Sequence, residues 1–113
     1  MTGHNRALGA SGEAAALAWY VAAGYVEVVR NWRCRDGELD LLVSRDRLLV
    51  VCEVKTRSSD RFGTPAEAVT VAKAARIRRL TARYLGEHPW HGDVRFDVAC
   101  VMGGVVQMIE AAF

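Results

Sequence analysis

The feature that most constrains this chain is a pair of apolar runs of matched length that carry charge at regular intervals. Residues 38–45 and 48–55 are rich in Leu and Val, and Ser44-Arg45-Asp46-Arg47 is the only fully polar stretch in that region. The pattern reads as strand, turn, strand. Strand side chains alternate between faces. Glu38, Asp40 and Leu42 therefore share one face, as do Val51, Glu53 and Lys55. An even-length turn centred between Asp46 and Arg47 sets Asp40 opposite Glu53 and Glu38 opposite Lys55. Cross-strand partners have Cβ atoms roughly 4.5–5.5 Å apart. Asp-Arg is not a preferred two-residue turn, and a slip of one residue would put the two charged sets on opposite faces.

Four ionisable side chains in so apolar a setting need a reason. Two facing carboxylates repel, and burial sharpens the repulsion. A divalent cation removes it, and Mg²⁺ takes one or two carboxylates beside water and substrate phosphate oxygens. Asp40 and Glu53 are the candidate ligands, with the Val54 carbonyl as a further one. Such an ion acidifies water and stabilises charge building on phosphorus. Lys55, one pleat from Glu53, would orient that water and neutralise the phosphate. Asp-x12-Glu-x-Lys is also the spacing of a metal-dependent phosphodiesterase site. The plainer alternative is an edge hairpin whose Glu38–Lys55 and Lys55–Glu53 pairs are surface ion pairs worth little. The flanking Leu-Leu-Val and Leu-Leu-Val-Val-Cys runs favour a central strand pair covered on at least one face.

The 113 residues suffice for one domain with one core, and a hydrophobic content of 51% is that of a soluble globular domain. No run approaches the roughly 18–20 apolar residues of a membrane span, and no secretory signal opens the chain. Cys34, Cys52 and Cys100 are odd in number and lack Cys-x-x-Cys spacing. A disulfide framework and structural zinc are therefore not expected, and a reducing cytoplasm fits. Cys52 and Cys100 read as small buried hydrophobes. His88-Pro89-Trp90-His91 reads as a loop, because Pro89 breaks the helix that would align the imidazoles. The net charge of +2 neither demands nor excludes nucleic acid. Its distribution says more. Arg30, Arg33, Arg35, Arg57, Arg61, Lys73, Arg76, Arg78, Arg79 and Arg83 crowd the hairpin and the helix after it.

The remaining elements follow from periodicity and punctuation. An Ala-rich helix is expected from about Ser11 to Ala23, stopped by Gly24, with Leu17, Tyr20 and Val21 on its apolar face. Glu13 falls in its first turn, as a helix-dipole partner or as an extra carboxylate aimed at the ion. Tyr25–Arg33 reads as a strand, with Asp36-Gly37 turning into the hairpin. Thr56–Thr64 reads as a loop, and Pro65 opens a short helical turn. Thr70 caps a second helix running to Leu85 and stopped by Gly86. Ile77, Leu80 and Tyr84 share its buried face, while Arg76, Arg79 and Arg83 cluster elsewhere, as a solvated face or a phosphate contact. Lys73 projects with the apolar face and points back at the carboxylates. Asp93–Met102 and Val105–Ala111 are two more strands around a Gly103-Gly104 turn. Asp97 reads as structural, paired with Arg95 or another Arg. A mixed sheet follows, with a right-handed crossover after the third strand.

Several segments together resemble one known family. They are Gly12-Glu13, Asn31-Trp32-Arg33, Gly37-Glu38-Leu39-Asp40-Leu41, Val51-Cys52-Glu53-Val54-Lys55-Thr56-Arg57 and Phe62-Gly63-Thr64-Pro65-Ala66-Glu67-Ala68-Val69. Lys73, Arg83-Tyr84-Leu85, Arg95-Phe96-Asp97-Val98 and Ala112-Phe113 complete the match. The chain resembles the YraN-type family of small bacterial proteins over nearly its whole length. That family is similar to the restriction-endonuclease-like PD-(D/E)xK superfamily, and within it to the archaeal Holliday junction resolvases. The resemblance implies an α/β fold with a restriction-endonuclease-like αβββαβ core. A mixed sheet flanked by helices, with an extra C-terminal strand, would form one domain over residues 1–113. The resemblance makes Asp40, Glu53 and Lys55 the catalytic triad. Glu13 matches the first-helix Glu of the resolvase-like branch and joins Asp40 and Glu53 around Mg²⁺ or Mn²⁺. Glu38 and Lys73 match positions typical of the YraN-type family, with Glu38 supporting the site. Leu39 stands where the nominal motif has Pro, a change many superfamily members tolerate.

The expected function is a metal-dependent nuclease acting on DNA, on branched or single-stranded structures among others. Arg57, Lys73, Arg76, Arg79 and Arg83 are the candidate backbone contacts. Resolving a branch needs two active sites, so that version requires a homodimer. The alternatives are a non-catalytic nucleic-acid-binding module that keeps the fold, and an accessory protein acting through a partner. Intact Asp40, Glu53 and Lys55 argue against the first, and nothing in the sequence supports the second.

Overall fold

Leu and Val on both sides of the central strands demand cover on two faces, and each face receives one helix. The computed structural model describes residues 3–57 and 69–113, with side chains from Ser11 onward. In chain order the elements are α1 (Gly3–Ala22), β1 (Val26–Cys34), β2 (Gly37–Arg45), β3 (Leu48–Arg57), α2 (Val71–Glu87), β4 (Asp93–Met102) and β5 (Val105–Ile109). The strands form one sheet of order β1-β2-β3-β4-β5. All neighbours are antiparallel except β3 and β4, which are parallel. A tight turn cannot join parallel strands, and the connection between them carries α2. The expected mixed sheet and element order are both present.

On one face Ala16 and Tyr20 of α1 pack with Leu41, Val43, Val50, Cys52, Ala99 and Val101. On the other, Ile77, Leu80 and Tyr84 of α2 pack with Leu39, Leu42, Leu49 and Val51. Each Val, Leu or Ile among them, fully buried, contributes roughly 1.5–3 kcal/mol. Cys52 is fully buried, as expected, whereas Cys100 is only half-buried; all three cysteines are free thiols.

Several boundaries differ from the sequence reading. α1 starts at Gly3, so Glu13 lies in mid-helix and cannot be a first-turn dipole partner. Its buried face is Gly12, Ala16 and Tyr20, while Val21 is 53% exposed. Gly24 does end the helix. With φ of +91°, it lets the Tyr25 N–H reach the Tyr20 carbonyl at 3.0 Å and its own N–H the Val21 carbonyl at 3.0 Å. Thr70 caps α2 as expected, its Oγ1 accepting from the Lys73 N–H at 3.1 Å. Gly86 does not stop α2, because one helical glycine costs only about 1 kcal/mol. The helix runs to Glu87, and Pro89 disfavours helical geometry at His88, the cap. The His88 ring stacks on Tyr84 at 4.3 Å.

Thr56 and Arg57 belong to β3, not to a loop, pairing with Val101 and Met102 of β4. The remainder of that loop and the turn expected at Pro65 lie outside the described residues. Gly103 and Gly104 take the positive φ values, +57° and +79°, that their turn requires. β5 ends before Ala111 because the Ala111 N–H turns inward to Asp97 Oδ1 at 3.0 Å.

Asp97 is fully buried and structural, as expected. Arg95 grips both its oxygens, Nε to Oδ1 and Nη2 to Oδ2, each at 2.9 Å. Tyr20 adds an O–H donor at 2.7 Å, tying α1 to β4. Tyr20→Phe removes one donor from a buried carboxylate that keeps its other two partners. The expected cost is about 2 kcal/mol, read as a lower urea midpoint with an unchanged denaturant slope.

Candidate functional site

The β2–β3 hairpin has the register that the turn implied. Arg45 pairs with Leu48 and the ladder proceeds through Leu42–Val51 to Leu41–Cys52. Asp46 makes the tight turn by adopting φ of +53°, which Asp tolerates better than most residues. The ladder then opens. The next positions, Asp40 and Glu53, are not joined through the backbone; instead Asp40 Oδ2 accepts from the Val54 N–H at 2.9 Å. The N–H and C=O of one strand residue point the same way, so the Val54 carbonyl faces the same gap.

Asp40 also marks a change of face in β2. Leu41 packs on the α1 side, yet Leu39 packs with Leu42 on the α2 side. Regular alternation would place Leu39 with Leu41. The pairing of β1 with β2 likewise skips Asn31, which takes φ of +57° between Arg30–Leu41 and Trp32–Leu39. Glu38 is consequently displaced from its expected partner. It meets Arg33 on β1, Nε to Oε2 at 2.8 Å, and is exposed; it does not pair with Lys55.

Glu53 keeps the face predicted for it, with Val51 and α2. Its Oε1 lies 3.0 Å from Lys73 Nζ and 3.9 Å from Lys55 Nζ. The expectation that Lys73 points back at the carboxylates is met. From the α1 side comes Glu13, near Asn31, with its Oε2 buried and without a partner among the described residues. Gly12 lets the helix come this close, since a Cβ there would overlap the Thr56 side chain.

The electrostatics follow from burial. Burial raises the Asp40 carboxyl to about 7, and the charge of Glu53 pushes the same way; the Val54 N–H only partly offsets them. Burial also raises Glu13, against the lowering influence of Asn31. Burial lowers the Lys55 ammonium, helped by neighbouring Lys73. Lys73 is itself raised, because its contacts with Lys55 and Glu53 and the charges of Glu53 and Asp40 outweigh burial.

Among the described residues, no three acidic, histidine or cysteine side chains stand close enough together to form a ready-made ion cluster. Mg²⁺ or Mn²⁺ does not need three. Asp40, Glu53 and the Val54 carbonyl form a hard-oxygen set of the kind such ions take with water and phosphate. The orphaned Glu13 oxygen and the raised Asp40 both mark a place short of positive charge. These oxygens are the ones that could hold a divalent cation; Glu13, expected as a third carboxylate ligand, does not complete a ready-made cluster with Asp40 and Glu53.

The candidate nucleic-acid residues divide into groups. Arg76, Arg79 and Arg83 are exposed and, with Asp36 and Leu80, line a cleft of about 340 Å³. Arg83 is held there by Asp36, Nη1 to Oδ2 at 2.9 Å. Beside it Arg33, Cys34, Arg35, Gly37 and Glu38 line a second cleft of about 310 Å³ at the β1–β2 turn. The sequence places Arg33 and Arg35 in the basic stretch without naming them as backbone contacts; the Asp36-Gly37 turn carries them to this surface. Arg57 is half-buried at the end of β3, and Lys73 belongs with the carboxylates. Arg78 is structural, stacked 4.7 Å above the Phe96 ring. Asn31 is the other residue whose role was missed, and an Asn within a Val-rich strand was its trace.

A fold of this class, a five-stranded mixed sheet with a helix on each face and a carboxylate–lysine cluster in a split hairpin, has many relatives in sequence. The profile described as "Uncharacterised protein family UPF0102" matches residues 12–101. The UPF0102 protein of Frankia casuarinae is 57% identical over 96 residues, 84% of this chain and 81% of its own length. That of Beutenbergia cavernae is 56% identical over 97 residues, 85% of this chain and 82% of its own. That of Nocardia farcinica is 50% identical over 102 residues, 88% and 80% respectively. The chain belongs to the UPF0102 family, the YraN-type family that its motifs resemble. No helix among the described residues is long and apolar enough to cross a membrane.

The raised Asp40 has a measurable consequence. Between about pH 4 and 7 the folded chain holds a proton that the unfolded chain has released, so this group's contribution to stability falls as pH rises. At about 1.4 kcal/mol for each unit of pKa, a carboxyl pushed up to about 7 costs the charged form on the order of a few kcal/mol. Asp40→Asn keeps an acceptor for the Val54 N–H and loses the titration. We expect it to match the wild type near pH 4 and to exceed it by about 2 kcal/mol at pH 8, in urea unfolding run at both values without divalent ions.

Proposed function

We propose that this chain is a divalent-metal-dependent nuclease of the restriction-endonuclease-like, PD-(D/E)xK kind, hydrolysing phosphodiester bonds in DNA. The observation that carries the reading is the opening of the β2–β3 ladder at Asp40 and Glu53, with a lysine ammonium beside the carboxylates. The element order α1-β1-β2-β3-α2-β4 accommodates the αβββαβ core of that superfamily, with β5 as the extra strand.

Each residue has a part in this reading. Asp40 and Glu53 would hold the ion with the Val54 carbonyl, and Glu13 would add negative charge from the α1 side. Bound there, Mg²⁺ or Mn²⁺ would supply Lewis acidity toward water and the scissile phosphate. Lys55 orients the attacking water and offsets the charge that grows on the phosphate oxygens. Arg76, Arg79 and Arg83, joined by Arg33 and Arg35, hold the phosphate backbone, and Arg57 and Lys73 do so nearer the cut. Such contacts give affinity and orientation without sequence preference. Cutting both strands of a branch would additionally require a homodimer.

The test is cleavage of labelled single-stranded, duplex, flap and four-way DNA in Mg²⁺ or Mn²⁺, with EDTA as control. We expect ion-dependent cutting that falls at least about a hundredfold in Glu53→Ala and in Lys55→Ala. DNA binding without cutting on any structure would overturn the nuclease and leave the non-catalytic binding module. A second measurement concerns the arginines. Replacing Arg76, Arg79 and Arg83 together by Ala should weaken DNA binding by Glu53→Ala protein on every sequence alike. It should also flatten the dependence of log K on log salt by about 2–3, in fluorescence anisotropy titrations.

A further inference from the structure

Two ammonium groups converge on one carboxylate oxygen, and they reach it differently. Lys55 is on β3 itself, one pleat from Glu53, and stays 3.9 Å from Oε1. Lys73 comes from the first turn of α2 and lies closer, at 3.0 Å. Neither is a surface pair: the Glu53 side chain is 11% exposed and that of Lys73 22%. The main chain of Lys73 is fixed, because its N–H is bound by the Thr70 cap. Its four-carbon stem is not, so the ammonium can leave Glu53 without moving the helix.

We propose that Lys73 is a tethered counter-ion that occupies Glu53 until a divalent cation displaces it, and so sets the cation affinity of the site. The inference rests on the reading of Asp40 and Glu53 as ion ligands. A cation bound directly by Glu53 sits about 2.0–2.1 Å from a carboxylate oxygen. An ammonium at hydrogen-bond distance from the same oxygen would then face a double positive charge across a few ångströms of poorly solvated space. The two cannot share it at low cost. Loading therefore includes breaking the Lys73–Glu53 pair, and the apparent affinity is reduced by the fraction of molecules in which the pair is closed. Lys55, farther away and rooted in the strand, need not move. The released Lys73 ammonium remains within a side chain's reach and is free for a phosphate oxygen.

The experiment is calorimetric titration of the wild type, Lys73→Met, Lys73→Gln and Lys73→Arg with Mn²⁺ at pH 8.5, with Glu53→Gln as the control that should abolish the signal. Lys73→Met and Lys73→Gln should bind Mn²⁺ about tenfold more tightly than the wild type. Lys73→Arg, which keeps the charge, should not. Without metal the two neutral variants should melt below the wild type, and rising Mn²⁺ should close that gap. Two neutral replacements keep the test alive should one fail to fold. A wild-type affinity for Mn²⁺ equal to or higher than that of both neutral variants would overturn the counter-ion role and leave the nuclease reading intact. Absence of Mn²⁺ binding in every protein, neutral variants included, would overturn both.

Discussion

The Val54 N–H must be satisfied, and the group that satisfies it is a side chain. A buried main-chain donor left without a partner costs as much as a lost hydrogen bond. In a regular ladder a β2 carbonyl would serve; here the Asp40 carboxylate does, at 2.9 Å. That exchange lets β2 and β3 separate without an orphaned donor. It also turns β2 over, so that Leu39 and Leu42 both reach the α2 core. The carboxylates and lysines of the proposed site all lie in or beside the resulting gap. Glu53 and the two lysines approach from the α2 side and Glu13 from the α1 side.

The gap is held open by contacts that are not themselves part of it. Gly12 allows α1 to lie against Thr56 of β3, which sets where Glu13 points. The same helix is anchored farther along by Tyr20 on buried Asp97, which Arg95 and the Ala111 N–H also bind. On the opposite face the Thr70 cap fixes the start of α2 and with it Lys73. The Asp97 network is fully partnered, whereas one oxygen of Glu13 is not. A saturated polar network specifies structure. An unsaturated one costs stability and invites a positive charge.

What the sequence revealed, and what it hid, follows from the range of the interactions. The hairpin register was legible because the apolar pattern and the turn length agree on it. The Thr70 cap, the Gly24 stop and the buried face of α2 are local, and each carries its own residue signature. Glu38 was misplaced because alternation was extended through Asp40, and nothing in Glu-Leu-Asp announces a change of face. Gly86 misled because a glycine signals a helix end only when the chain turns there; Pro89 was the stronger stop. The start of α1 was missed because Gly3 to Ala10 carries no apolar period of its own. Tyr20 and Asp97 are 77 positions apart, and only the fold joins them. The gathering of Lys73 on Glu53 was anticipated because the helix period puts Lys73 with Ile77, Leu80 and Tyr84.

The charge arrangement is poor design for a chain that needs only to fold. Breaking or half-satisfying a buried ionic cluster is costly, and well-packed apolar residues often serve stability as well or better. Here burial, with the charge of Glu53, pushes the Asp40 carboxyl up to about 7. Strain of this kind is characteristic of sites where function opposes stability. Its position gives it direction. Lys73 and Arg76, Arg79 and Arg83 are on one helix, and from Lys73 to Arg83 the axial rise is about 15 Å. A phosphate backbone lying along that arginine face would arrive at the α2 N-terminus, where Lys73 and the split hairpin meet. On the proposed reading, the helix that covers one face of the sheet would also align a bound phosphate backbone with the carboxylates, and neither could be moved without repacking Ile77, Leu80 and Tyr84.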